Sequence, residues 1–185
     1  MVTRAMTRHR YPTQTVLRDE RRVMIRPFQS DDVDALHTFF LGLPADWRRF
    51  AWDRIESRGL IESWADNIDY HKVLPLLAFD GPRVVGDASL HRREFGPLRL
   101  VGRIKWLLDP GYRGAGLGAM LVNLLMDEAR VMGLRHLTCM LISDLEQDAI
   151  DVLKPLGFEE YLVPGYGVDP DGSTHDMSKL VFTFP

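Results

Sequence analysis

The stretch Leu107-Leu-Asp-Pro-Gly-Tyr-Arg-Gly-Ala-Gly-Leu-Gly118 decides how this chain is read. It passes from an apolar strand pattern into a turn with glycines at 114, 116 and 118, and then into helical spacing over 117–132. A strand, a glycine turn and a helix N-terminus together present unpaired backbone N–H groups and the positive end of a helix dipole. Glycines let that backbone approach a ligand closely, because no Cβ stands in the way. The expected partner of such a turn is a phosphate group.

Helical spacing downstream puts Leu117, Met120, Leu121, Leu124, Leu125, Ala129 and Met132 on one face, and Gly133 is placed to end the helix. Residues 135–142 read as a strand, and 145–154 as a helix stopped by Pro155 and Gly157. Two last strands, at about 158–163 and 177–184, flank a hairpin loop with Gly165, Gly167, Asp169, Pro170 and Gly172. Upstream, residues 73–79, 83–90 and 98–108 read as a meander with turns at 80–82 and 94–97. Residues 15–27 read as two short strands around a polar turn at Arg18–Arg21. Ser30 can cap a helix whose apolar set is Val33, Leu36, Phe39, Phe40 and Leu43. A second helical region, about 46–69, is expected in two pieces broken near Gly59, with Trp47, Trp52 and Trp64 packed in the core. Residues 1–14 are expected to be a flexible basic tail, and 15–185 a single domain. This order predicts an α+β fold: a mixed, mostly antiparallel sheet of about six to seven strands with helices on both faces.

Bulk properties narrow the function. The 185 residues are 45% hydrophobic and 26% charged, ordinary for a globular domain. Lys and Arg number 23 against 26 acids, for a net charge of -3, which gives no support to nucleic-acid binding. The single cysteine, Cys139, excludes an intramolecular disulfide and a multi-cysteine metal site, so no metal is expected. It sits in the apolar run 136–142, as a buried structural thiol would. No apolar run approaches the roughly 18 residues of a membrane span. Arg4, Arg8 and Arg10 are not followed by an apolar stretch, so no secretory signal is expected and a cytoplasmic location is the default.

Three phosphate-binding patterns compete for the glycine turn. A Walker loop requires Lys and Ser or Thr after its last glycine, where Leu117 and Gly118 stand. Gly114, Gly116 and Ala119 satisfy a dinucleotide G-x-G-x-x-A pattern, but too few residues follow for the two halves of that fold. The third pattern, R-x-x-G-x-G, is matched by Arg113-Gly-Ala-Gly-Leu-Gly118. Here the chain resembles the GNAT superfamily of acyl-CoA-dependent N-acetyltransferases. The resemblance runs from about 22 to 184, through the "IRP" strand, the "DPGYRGAGLG" turn and the "LGF" at 156–158.

The resemblance implies acetyl-CoA as cosubstrate and an amine as acceptor. Two central strands would splay apart, one ending near Leu108 and one starting near Arg135. The pantetheine arm would lie along Trp106, Leu107 and Leu108. The pyrophosphate would sit on the N–H groups of Gly114, Ala115, Gly116, Leu117, Gly118 and Ala119, with Arg113 adding charge. The amine would attack the thioester directly, and the backbone N–H of Leu108 would steady the tetrahedral oxyanion. The family's usual catalytic side chains are missing: Leu153 stands where many relatives carry tyrosine, and Arg103 falls near their strand glutamate. Glu94 and Asp144 are the base candidates put forward, with Asp87, His91, Asp109, Ser143 and Glu146 also in view. Tyr161 and Tyr166 are candidate proton donors if the last hairpin covers the site.

The opening "TVLRDERRVMIRP" is similar to the start of bacterial protein-lysine acetyltransferases, which generally have Gly where this chain has Glu20. The acceptor is left open between a protein lysine and a small-molecule amine. The rival reading is an acyl-CoA-binding sensor module with weak or no catalysis. The last hairpin is also a candidate surface for a homodimer.

Overall fold

The computed structural model describes residues 10–169 and 171–185. Its strands are β1 (Thr13–Val16), β2 (Arg22–Pro27), β3 (Val73–Asp80), β4 (Arg83–His91), β5 (Val101–Leu108), β6 (His136–Ile142), β7 (Glu159–Val168) and β8 (Thr174–Thr183). The helices are α1 (Val33–Gly42), α2 (Ala45–Arg49), α3 (Arg58–Asp66), α4 (Leu117–Val131) and α5 (Gln147–Leu153). The strands are hydrogen-bonded in the order β1-β2-β3-β4-β5-β6-β8-β7. The β5–β6 pair is parallel, whereas β1–β2, β2–β3, β6–β8 and β7–β8 are antiparallel. The fold is therefore α+β with eight strands in a mixed sheet.

The chain divides into two compact units, residues up to 89 with 106–117, and residues 90–105 with 118–185. In the first, β1, β2 and β3 form an antiparallel ladder, with Thr13 opposite Ile25 and Ile25 opposite Ala78. Alternation along β2 buries Val23 and Ile25 and leaves Arg22 outside. Phe28, Leu36, Phe39, Phe40, Leu43, Ile55, Ile61, Leu77, Phe79 and Val84 form one apolar cluster, with Leu107 packed against it. Arg26 pairs with Asp32 at 2.6 and 2.7 Å, and the same carboxylate accepts the Gln29 N–H, so the entry to α1 is fixed by a fork of charged hydrogen bonds.

In the second unit, α4 buries Leu121, Val122, Leu125, Met126 and Ala129. Seven residue pairs run β6 antiparallel to β8, from His136 opposite Thr183 to Ile142 opposite Met177. The parallel β5–β6 ladder is short: Val101, Gly102 and Arg103 oppose His136, Leu137 and Thr138. Further along β6, the Ile142 N–H is taken by the Glu146 carboxylate at 2.6 Å instead of by a strand.

Several expectations shift. β1 starts at Thr13, inside the stretch read as tail, and residues 1–9 lie outside the described residues. Gly59 sits inside α3; the break between the helical pieces falls at 50–57 instead, where Ser57 precedes the first helical residue. Trp52 lies in that break and is 58% exposed, so it is not a core residue. Gly165 and Gly167 belong to β7, at a register irregularity between Val163 and Gly167, and the Asp176 carboxylate accepts the Gly165 N–H at 2.7 Å. On α4, Val122 and Met126 are buried where Met120 and Leu124 are only half-buried.

Gly102 shows how tightly β5 is held where its ladder with β6 begins. A Cβ there would stand 2.7 Å from Leu90 Cδ1 and 2.8 Å from Leu134 Cδ1 and Leu137 Cδ2. Gly102→Val is expected to destabilise the fold by roughly 1–3 kcal/mol through overpacking. Urea denaturation checks this as a lowered midpoint; an unchanged midpoint would mean the three leucines yield without cost.

Candidate functional site

The glycine turn is built up from the end of β5. Asp109 donates its N–H to the Val85 carbonyl at 2.9 Å, which sets the start of β4 beside the end of β5. The Asp109 carboxylate accepts the Gly111 N–H at 2.8 Å and closes a tight turn over Pro110–Tyr112. Asp109, in view as a base from sequence, makes a turn here. Trp106, Leu107 and Leu108 are half-buried.

Tyr112 anchors the turn. It is 2% exposed, and its hydroxyl donates to the Asp80 carboxylate. The Arg21 guanidinium lies 3.7 Å above its ring centroid and donates to the Gly111 carbonyl at 2.7 Å. Arg21 is held in turn by Asp19 at 2.5 Å, and this pairing keeps the Asp19 carboxyl below the usual carboxylate range. One further bond, Arg18 N–H to the Ala115 carbonyl at 3.1 Å, ties the β1–β2 turn to the glycine loop. Glu20, within that turn, takes φ 69, the left-handed region that a glycine fills without strain.

The glycines serve conformation as well as access. Gly114 has φ 73 and Gly116 φ 91, values that L side chains rarely adopt. A Cβ on Gly114 would meet nothing within 4 Å, whereas one on Gly116 would meet the Arg18 side chain, with Nε at 3.5 Å. Helix α4 then starts at Leu117 with no acidic residue in its first turn, so no carboxylate of its own neutralises the positive end of its dipole. Arg113 lies with its guanidinium 3.6 Å over the Trp47 ring, which gives that tryptophan a role beyond core packing.

The candidate acid–base residues are in varied settings. Glu94 is exposed in the turn after β4, and Asp144 is exposed in the turn after β6. Glu146 is engaged with the Ile142 N–H. Ser143 shares a hydrogen bond of 2.8 Å with Ser178, which donates to Glu160 at 2.5 Å; Glu160 pairs with Lys154 at 2.7 Å. Lys154 above all holds the Glu160 carboxyl below its ordinary value. Tyr161 donates to Glu159 at 2.8 Å, which keeps its hydroxyl protonated to higher pH than an ordinary tyrosine, and Tyr166 is 66% exposed. Asp87 and His91 are half-buried, and their even spacing on β4 puts them on one face. Leu153 is fully buried, and Cys139 is buried with its thiol pushed well up by desolvation. No metal-binding cluster of His, Cys, Asp or Glu occurs among the described residues, and none of their helices is long and apolar enough to cross a membrane.

Sequence reasoning identified the loop but missed its supports. Arg18, Arg21, Tyr112 and Asp80 are brought together from segments far apart in the chain, with Arg21 reaching Gly111 across 90 residues. The polar run 18–21 signalled a turn, and nothing in its spacing signalled what the turn packs on.

Known proteins share this fold. The family described as "Acetyltransferase (GNAT) domain" matches residues 22–159. The GNAT domain of S. lividans PAT superposes with a TM-score of 0.76 at 19% identity, covering 93% of this chain and 96% of that one. The ribosomal-protein-S5-alanine acetyltransferase from Vibrio fischeri gives 0.74 at 17% identity, covering 87% and 92%. The yncA protein from Salmonella typhimurium, solved with its cofactor acetyl-CoA, gives 0.71 at 22% identity, covering 88% and 94%. With the family match spanning most of its length, this chain belongs to the GNAT acetyltransferases.

Proposed function

We propose that this protein moves an acetyl group from acetyl-CoA to a primary amine, on a protein lysine or a small molecule. The observation that carries this reading is the glycine turn. Its two left-handed glycines lead into a helix whose first turn holds no acid. Such a loop offers the N–H groups of residues 114–119 to a diphosphate. The donors fit the cosubstrate, and the neighbour solved with acetyl-CoA shares the fold.

The reacting end of acetyl-CoA is assigned to the end of β5. This strand runs five residues beyond its last ladder pair with β6, at Arg103. Backbone groups of Trp106, Leu107 and Leu108 are assigned to the pantetheine arm, and the Leu108 N–H to the oxyanion of the tetrahedral adduct. One such donor is worth roughly 10²–10³ in rate.

An amine of pKa near ~10.4 is almost wholly protonated at neutral pH, so a base has to take a proton before or during attack. Asp87 is favoured for this over Glu94 and Asp144. It is half-buried, and the Asp109–Val85 bond sets its stretch of β4 beside the end of β5. Glu94 and Asp144 stand exposed in turns. Collapse of the adduct breaks the C–S bond and releases CoA as thiolate. With Leu153 in the core, no acid at that position assists the departure.

Release of CoA thiol is expected when acetyl-CoA is supplied with a panel of lysine peptides, polyamines and amino acids. Tight binding of acetyl-CoA without turnover on any amine would favour the sensor module instead. Asp87→Asn is expected to lower kcat by about 10²-fold or more while acetyl-CoA affinity is kept. Full turnover by a folded Asp87→Asn variant would return the role to Glu94 or Asp144.

A further inference from the structure

We propose that Arg18, on the turn between β1 and β2, is a cation that contacts the diphosphate of acetyl-CoA. This assignment rests on the acetyl-CoA reading above and goes beyond the glycine loop itself. Two arginines lie three positions apart on this turn, and they are used differently. Arg21 is spent on structure: Asp19, the Gly111 carbonyl and the Tyr112 ring occupy its guanidinium. Arg18 is exposed, and its guanidinium makes no ion pair among the described residues. The side chain is nevertheless placed. The Arg18 backbone N–H is bonded to the Ala115 carbonyl, and the side-chain Cγ, Cδ and Nε lie 3.5–3.7 Å from where a Gly116 Cβ would stand.

That placement costs the chain something. Leu17 is buried and donates its N–H to the Arg21 carbonyl at 2.8 Å, which tightens the turn. The tightening holds Glu20 in a left-handed conformation. A surface arginine without a partner does not need such a mount. The residue next to it in the loop, Gly116, is the middle of the amide cradle. Arg113, which the glycine motif itself supplies, has its guanidinium stacked on Trp47. Arg18 is therefore the arginine aimed at the centre of the loop, where a planar cation can bridge phosphate oxygens.

The test is calorimetric titration of the whole protein with acetyl-CoA and with 3′-dephospho-CoA, for wild type, Arg18→Gln and Arg18→Lys. Arg18→Gln is expected to weaken both ligands by about tenfold, the size of one lost charged hydrogen bond. Arg18→Lys is expected to recover part of the loss. The gap between wild type and Arg18→Gln is expected to shrink at high salt. Since the side chain is exposed, the thermal midpoint of the unliganded variant should match wild type, and this confirms folding. Unchanged affinity in Arg18→Gln would overturn the assignment. A loss seen with acetyl-CoA and absent with 3′-dephospho-CoA would also overturn it, placing Arg18 on the 3′-phosphate. Failure of the wild-type protein to bind acetyl-CoA would overturn the acetyl-CoA reading itself, and this assignment with it.

Discussion

Everything proposed for the glycine turn depends on one buried side chain, Tyr112. Its ring lies under the Arg21 guanidinium and its hydroxyl bonds the Asp80 carboxylate, so the turn is clamped from the β1–β2 segment and from the end of β3. A loop carrying two left-handed glycines is inherently mobile, because glycine gives up more conformational entropy on ordering than any other residue. Anions bind well to backbone N–H groups only when those groups are already oriented. The clamp supplies that order before a ligand arrives. It uses an aromatic ring, the Arg21 guanidinium, the Arg18 backbone N–H and two acids, Asp19 and Asp80, all outside the glycine motif. The motif by itself describes only the part that would touch phosphate.

Backbone groups also govern the proposed chemistry. The short β5–β6 ladder releases the end of β5 from pairing on that edge, and the Glu146 carboxylate takes up an N–H of β6 that a longer ladder would have used. Buried backbone groups rarely go without partners. A carboxylate accepting a strand N–H is one way to end a ladder without leaving a donor unpaired. Glu146 looked like a candidate base in the sequence because it is an acid just past a strand. In the fold it has this structural use.

Much of the fold was legible because the apolar periods are clear. The apolar runs of β3 and β4, the helical face of α4, and the stops at Pro155 and Gly157 all appear where the residues suggest. The glycine turn was legible for a similar reason: its glycines are close together and directly precede a helix. Legibility failed where an assignment depended on tertiary contact. Trp52 has the composition of a core residue, yet it lies exposed in a connection in which Ile55 is the buried side chain. The helix break was expected at Gly59, but a single glycine in a helix costs only about 1 kcal/mol and was tolerated inside α3. The supporting arginines and Tyr112 could not be found at all by local pattern, since their partners lie far along the chain. Catalytic side chains are the hardest case. A lone carboxylate gives the same signal in a solvated turn, as at Glu94, as on a half-buried strand face, as at Asp87.

Binding of acetyl-CoA by these backbone groups is tested most directly by amide hydrogen exchange with and without acetyl-CoA, resolved to short peptides. Slowed exchange is expected at residues 114–119, where N–H groups are assigned to the diphosphate, and at 106–108, where they are assigned to the pantetheine arm and the oxyanion. Protection confined to other segments, or unchanged exchange across both stretches at saturating ligand, would contradict these assignments.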